Sequence, residues 1–192
     1  MSTSKNRQPA AILFADIVGY TALMQKDETT ALQIVEKFRS TLTEKVNQFN
    51  GQIINDYGDG CLCTFNTAIE AVDCAEAVQL IFQASPLVPV RMGLHSGAVY
   101  YEADNVYGDS VNIAARIESL GVAGAVLFSA KIQKEIASQT NHKVQSLGSF
   151  DFKNVEEPME VFGLANEGMV IPKRSDMQGK LKTAVKEPIK YY

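Results

Sequence analysis

Two aspartates carry the chemistry this chain could perform. Asp16 lies in Phe14-Ala15-Asp16-Ile17-Val18-Gly19-Tyr20-Thr21, a carboxylate among apolar neighbours at the end of a strand-like run. Burying such a charge is costly unless a cation or several donors compensate it, so Asp16 needs a partner. Asp59 sits between glycines in Gly58-Asp59-Gly60. Glycines there let backbone come close to a ligand, and a tight turn can set the acid beside a neighbouring strand end. Two such acids can hold hard cations, and Mg²⁺ binds through one or two carboxylates plus substrate phosphates, which points to a metal-nucleotide site. Each acid also has a plainer reading, as a cap for the helix beginning near Tyr20 or as a turn former.

Gly19-Tyr20-Thr21 follows Asp16 at a strand-to-helix junction, where free amides and the helix dipole suit a phosphate. A third group is Tyr107-Gly108-Asp109-Ser110-Val111-Asn112-Ile113-Ala114-Ala115-Arg116. Asn112 and Arg116 are one helical turn apart and share a face, so an amide and a guanidinium can reach one ligand, the latter suited to charge growing on a phosphoryl group. An exposed arginine with a surface partner is the plainer alternative.

The elements that must position these groups follow from periodicity. Residues 10–18 read as a central strand, apolar on both faces. Leu23, Leu32, Val35, Phe38, Leu42, Val46 and Phe49 recur at helical spacing, giving one or two amphipathic helices closed by Asn50-Gly51. Residues 52–57 and 61–65 form a hairpin around Gly58 and Gly60, both expected at positive φ. A helix over 67–84 precedes a long strand over 88–101 that Gly93 and Gly97 interrupt, then a helix over 109–120 and a strand over 125–128. A short helix from Ser129 and strands near 143–152 and 159–165 follow. Interleaved helices and strands with a hairpin favour an α+β fold.

At 192 residues and 21.0 kDa the chain is one domain, or one domain with a tail. Its 46% hydrophobic and 21% charged content predicts a packed core. A net charge of −4 lacks the basic excess of a general nucleic-acid binder. No apolar run approaches the roughly 18 residues of a membrane span, and the polar start has no signal-peptide core, so a cytoplasmic protein is expected. Residues 1–9 read as a flexible lead and 10–165 as the folded body. Residues 166–192 read as a basic tail or linker, with Lys173, Arg174, Lys180, Lys182, Lys186 and Lys190 against Glu167, Asp176 and Glu187. Cys61, Cys63 and Cys74 lack metal-pair spacing and read as reduced, buried thiols. His95 reads as structural and His142 as a surface residue.

In combination and order, these pieces resemble the class III nucleotidyl cyclases, the adenylate and guanylate cyclase catalytic domain. The matching segments run from Ala11 to Leu164. They are Phe14-Ala15-Asp16-Ile17, Tyr57-Gly58-Asp59-Gly60, Arg91-Met92-Gly93-Leu94-His95-Ser96-Gly97, Tyr107 to Arg116, and Phe152-Lys153-Asn154-Val155 with 159–164. The resemblance implies a ferredoxin-like α+β domain acting as a head-to-tail homodimer with two composite sites. It implies two divalent cations, Mg²⁺ or Mn²⁺, at Asp16 and Asp59 with Ile17. One ion would activate the ribose 3′-hydroxyl for in-line attack on the α-phosphate, and the other would hold the leaving pyrophosphate. Asn112 would orient the ribose and Arg116 steady the transition-state phosphate, both lent by the opposite chain. Arg91 and Lys153 resemble triphosphate contacts.

Base recognition departs from the pattern. Adenylate cyclases of this family commonly carry Lys four residues before the second metal Asp and Asp or Thr seven before the ribose Asn, and guanylate cyclases carry Glu at the first position. Here those positions are Asn55 and Asn105. An amide both donates and accepts, so the pair can read adenine, and ATP is the first choice. UTP, CTP or GTP is the alternative, and an inactive cyclase-homology domain that binds nucleotide or a partner is a second. A fused or separate regulatory domain is a further expectation.

Overall fold

The computed structural model describes residues 6–139 and 141–177. In chain order they form β1 (Arg7–Ile17), α1 (Tyr20–Lys26), α2 (Glu28–Gln48), β2 (Gln52–Asp56), β3 (Gly60–Phe65), α3 (Ala68–Phe82), β4 (Val90–Glu102) and β5 (Asn105–Tyr107). Then come α4 (Asp109–Leu120), β6 (Val126–Ser129), α5 (Ala130–Ile136), β7 (Val144–Phe150) and β8 (Met159–Leu164). The strands make one sheet in the order β2-β3-β1-β4-β6-β8-β7, with β5 paired to β4. Pairs are antiparallel except β4 with β6, which the α4 crossover leaves parallel. The architecture is the expected α+β sheet with helices packed on it.

Alternation along β1 assigns the two faces. Leu13, Ala15 and Ile17 pack with Phe38 and Leu42 of α2, Val78 and Phe82 of α3, and Ile132 and Ile136 of α5. Ala10 and Ile12 point the other way, into a cluster with Val99, Val106 and Ala114 of α4. Asp16 continues this second series, so its carboxylate emerges on the α4 face. The expected single or double helix over 20–49 is two helices. Asp27 breaks them apart and caps α2, accepting from the Thr30 amide at 3.1 Å and its hydroxyl at 2.6 Å.

Four expectations change. β4 runs unbroken through Gly93 and Gly97; these residues lack a side chain because α4 crosses against them, and a Cβ at Gly93 would meet the backbone of Glu118. Gly58 has φ 89°, but Gly60 does not lie at positive φ: it is the first residue of β3, opposite Asp16, where a Cβ would stand 3.2 Å from an Asp16 carboxylate oxygen. Arg7 to Pro9, expected in the lead, belong to β1 and pair with Tyr100 to Ala98. Residues 166–177, expected in the tail, pack back on the sheet. Met177 is fully buried beside Ile117, Leu120 and Phe150, while Arg174 donates to the Leu147 and Ser149 carbonyls at 2.8 and 2.7 Å. Lys180, Lys182, Lys186 and Lys190 lie outside the described residues. All three cysteines are free and buried, as expected.

Candidate active site

Strand register brings the two acids together. Asp16 pairs with Gly60, and the Ile17 amide donates to the Asp59 carbonyl at 2.7 Å, which closes the β2–β3 turn against the end of β1. Arg91 lies opposite Asp16 on the other side, its Nη2 3.2 Å from Asp16 Oδ2. Burial pushes the Asp16 carboxyl above the usual carboxylate range, Arg91 pulls it back, and the Asp59 charge pushes it up again. Asp16 shares the Arg91 guanidinium with Glu118, and Asp59 adds a further negative charge, so the half-buried site is rich in carboxylate oxygens and short of positive charge, an arrangement that a hard divalent cation fits. Ile17 has a buried side chain, so its main-chain carbonyl is what it can offer such an ion.

Gly19 takes a left-handed conformation, φ 73°, and turns the chain from β1 into α1 with open space around its Cα. Tyr20 is half-buried and Thr21 exposed at the start of that one helical run. On α4, the buried face holds Ala114, Ile117, Glu118 and Leu120, while Asn112 is exposed and Arg116 half-buried. Among the described residues neither Asn112 nor Arg116 makes a side-chain hydrogen bond or ion pair with Asp16 or Asp59. Lys153 is exposed on the connection between β7 and β8.

The structure does join Asn55 and Asn105. The Val106 amide, which can only donate, reaches Asn105 Oδ1 at 2.9 Å. That oxygen also accepts from Asn55 Nδ2 at 3.1 Å. Asn55 Nδ2 reaches the Tyr57 hydroxyl at 3.3 Å, and Asn105 Nδ2 the Tyr107 hydroxyl at 3.2 Å. One backbone N–H therefore orients both amides, and among the described residues Asn55 Oδ1 is left as an open acceptor. Asp56 faces away, paired with Arg39 at 3.3 Å, as strand alternation requires.

Sequence reasoning missed Tyr57 and Tyr107, although Asn55-Asp56-Tyr57 and Asn105-Val106-Tyr107 repeat one Asn-x-Tyr pattern whose period of two puts amide and phenol on one strand face. It also missed Glu118, a buried acid on the apolar stripe of α4 whose Oε1 takes the Arg91 Nε hydrogen bond at 2.5 Å. His95 is structural, as expected: buried, with Nδ1 2.7 Å from Ser129 Oγ, and pushed down to about 4 by burial and by Lys131. His142 is not a surface residue. Its side chain is 1% exposed because the loop before β7 folds onto α3, where Nε2 meets Asp73 Oδ1 at 2.7 Å and Glu76 stands close by. That group is formed by α3 and this loop rather than by the Asp16–Asp59 pair.

The family model for the adenylate and guanylate cyclase catalytic domain matches residues 2–166. The chain belongs to this family. A curated relative named "Putative adenylate cyclase 3" from Rhizobium meliloti (strain 1021) is 34% identical over 167 residues, 83% of this chain and 28% of that protein. An adenylate cyclase of Streptomyces griseus is 29% identical over 133 residues, 68% of this chain and 33% of that protein. The chain thus spans a third or less of these relatives. Among solved structures, an adenylate/guanylate cyclase/hydrolase from Silicibacter pomeroyi is 30% identical with a TM-score of 0.77, covering 84% of this chain and 99% of that one. The adenylyl cyclase CyaB from P. aeruginosa shares the fold, with a TM-score of 0.75 at 22% identity, covering 84% and 96%. Among the described residues no helix is long and apolar enough to cross a membrane.

Proposed function

We propose that this cyclase domain converts ATP to 3′,5′-cyclic AMP and pyrophosphate at two composite sites of a head-to-tail homodimer. The observation that carries the reading is the division of the machinery within one chain. The acid pair lies at the end of β1, while Asn112 is exposed on α4 and, among the described residues, makes no side-chain bond to it, an arrangement that suits two complementary half-sites per chain.

Asp16 and Asp59, with the Ile17 carbonyl, would hold two Mg²⁺ or Mn²⁺ ions. Bound there, the cations supply acidification of the ribose 3′-hydroxyl and neutralisation of the leaving pyrophosphate. Asn112 of the opposite chain orients the ribose, which fixes the hydroxyl in line with the α-phosphate. Arg116, lent by the same helix, places its guanidinium where charge grows on that phosphate. The amides from Gly19 to Thr21, with Arg91 and Lys153, bind the remaining phosphates.

Base choice rests on the amide pair. Asn55 Oδ1 suits the adenine N6 amine, and the Tyr57 hydroxyl retains a proton to donate to N1. Relatives named adenylate cyclases support the same choice. A cytoplasmic setting suits the three free thiols. A regulatory domain, fused or separate, belongs to the same proposal.

The test is a parallel assay of ATP, GTP, CTP and UTP with Mn²⁺ or Mg²⁺. Cyclic product and pyrophosphate should be highest from ATP. Asp16→Ala and Asp59→Ala should each cut turnover more than about a hundredfold while leaving the dimer intact. Product chiefly from another nucleotide transfers the base assignment to that one. No product from any of the four rejects the enzyme and favours a nucleotide-binding module.

A further inference from the structure

Arg91 is shared. Its Nη2 touches Asp16 Oδ2 at 3.2 Å while its Nε is held by Glu118 Oε1 at 2.5 Å. Glu118 is 8% exposed in the last turn of α4, at the place where Gly93 lets the helix backbone rest against β4. A guanidinium is a planar fork, so fixing it at Nε sets the direction of both terminal nitrogens. With a cation bound at Asp16, that carboxylate would no longer be free to hold the guanidinium. Two arrangements are then open to the Arg91 head: it can stay tethered with its Nη atoms released toward phosphate oxygens, or leave the site.

We propose that Glu118 is a positioning residue for substrate binding. It tethers Arg91 at Nε, so that the guanidinium passes from Asp16 to a phosphate of the metal-nucleotide when the cation claims Asp16. Without the tether, Arg91 competes with the cation for Asp16 or swings to solvent. The inference rests on the cyclase reading, since it requires the cation at Asp16 and the triphosphate beside it.

Binding of Mn²⁺ together with 3′-deoxy-ATP, which lacks the attacking hydroxyl, separates this role from turnover. Calorimetry on the intact chain should show about tenfold weaker binding in Glu118→Ala, because a charge-assisted tether is lost. Glu118→Gln keeps an acceptor for Nε and should lose only about twofold to threefold. Arg91→Gln should weaken binding about as much as Glu118→Ala, and the double variant should be no worse than Arg91→Gln alone. A general loosening of α4 would instead multiply the two losses and lower the thermal midpoint in parallel. Wild-type binding by Glu118→Ala, or losses that multiply, overturns the proposal. Failure of the wild-type chain to cyclise any nucleotide counts against the cyclase reading instead, while a binding loss in Glu118→Ala that vanishes in the Arg91→Gln background still supports the tether.

Discussion

His95 shows how one buried side chain can tie the stability of the fold to pH. Its imidazole lies on the α4 face opposite Ile12, bonded to the Ser129 hydroxyl that also caps α5. Burial holds it neutral, down to about 4 from an ordinary 6.5. The unfolded chain therefore binds a proton on this group between those values while the folded chain does not. Stability from His95 is whole above about 6.5 and is lost as pH falls toward 4, by about 3 kcal/mol for this single group. Thermal midpoints measured from pH 7 to pH 4.5 should fall more steeply in the natural chain than in His95→Gln. Parallel slopes would show that His95 is not the group responsible. Two thiols resist ionisation as well: the sulfur contact with Cys61, together with burial, pushes Cys63 up, and burial pushes Cys74 up to about 12.

At the scale of elements, α4 against β4 is the contact on which the proposed site depends. α4 carries Asn112 and Arg116 on its outer side, and its inner side is set by the glycines of β4. A methyl group at Gly93 has nowhere to go, because the obstacle is the Glu118 backbone rather than a flexible side chain. Gly93→Ala should cost about 1–3 kcal/mol, and each kcal/mol lowers the thermal midpoint by about 2–4 °C in a chain of this size. Turnover should fall more than stability alone explains, since the displaced helix carries Asn112 and Arg116. An unchanged melting curve would mean that the helix sits elsewhere. Sequence periodicity found α4 and β4 within two residues of their ends, yet it read the same glycines as breaks. Local pattern registers the missing side chain; only the packed helix shows what the space is for.

For the whole molecule, a complementation test decides whether the proposed homodimer divides two half-sites between its chains. Asp16→Ala homodimers lack both acid pairs, and Arg116→Ala homodimers lack both lent guanidiniums. Random exchange of subunits makes half the dimers mixed, each with one intact site, so the mixture should recover about a quarter of natural turnover. No recovery after subunit exchange, with mixed dimers demonstrated, would refute the head-to-tail arrangement. The segment 166–177 belongs to this scale too. Instead of a solvated tail it is a strap whose Met177 lies in the cluster with Ile117 and Leu120 of α4. Its apolar residues, Met169, Val170, Ile171 and Met177, follow no helical or strand period, which hid them from a periodic reading.

What the sequence determined by itself was the alternation of elements, the acids and the helical Asn112–Arg116 pair, because strand and helix periods are local and each residue type limits the chemistry available. Tertiary structure alone decided which distant residues meet. Strand register set Asp16 between Gly60 and Arg91, a backbone N–H at Val106 oriented the amides of Asn55 and Asn105, and a close helix crossing brought Glu118 onto Arg91. These contacts join residues as many as 75 positions apart along the chain, as in Asp16 and Arg91. Their geometry depends on the pairing of whole strands and the packing of whole faces, which no short window of sequence contains.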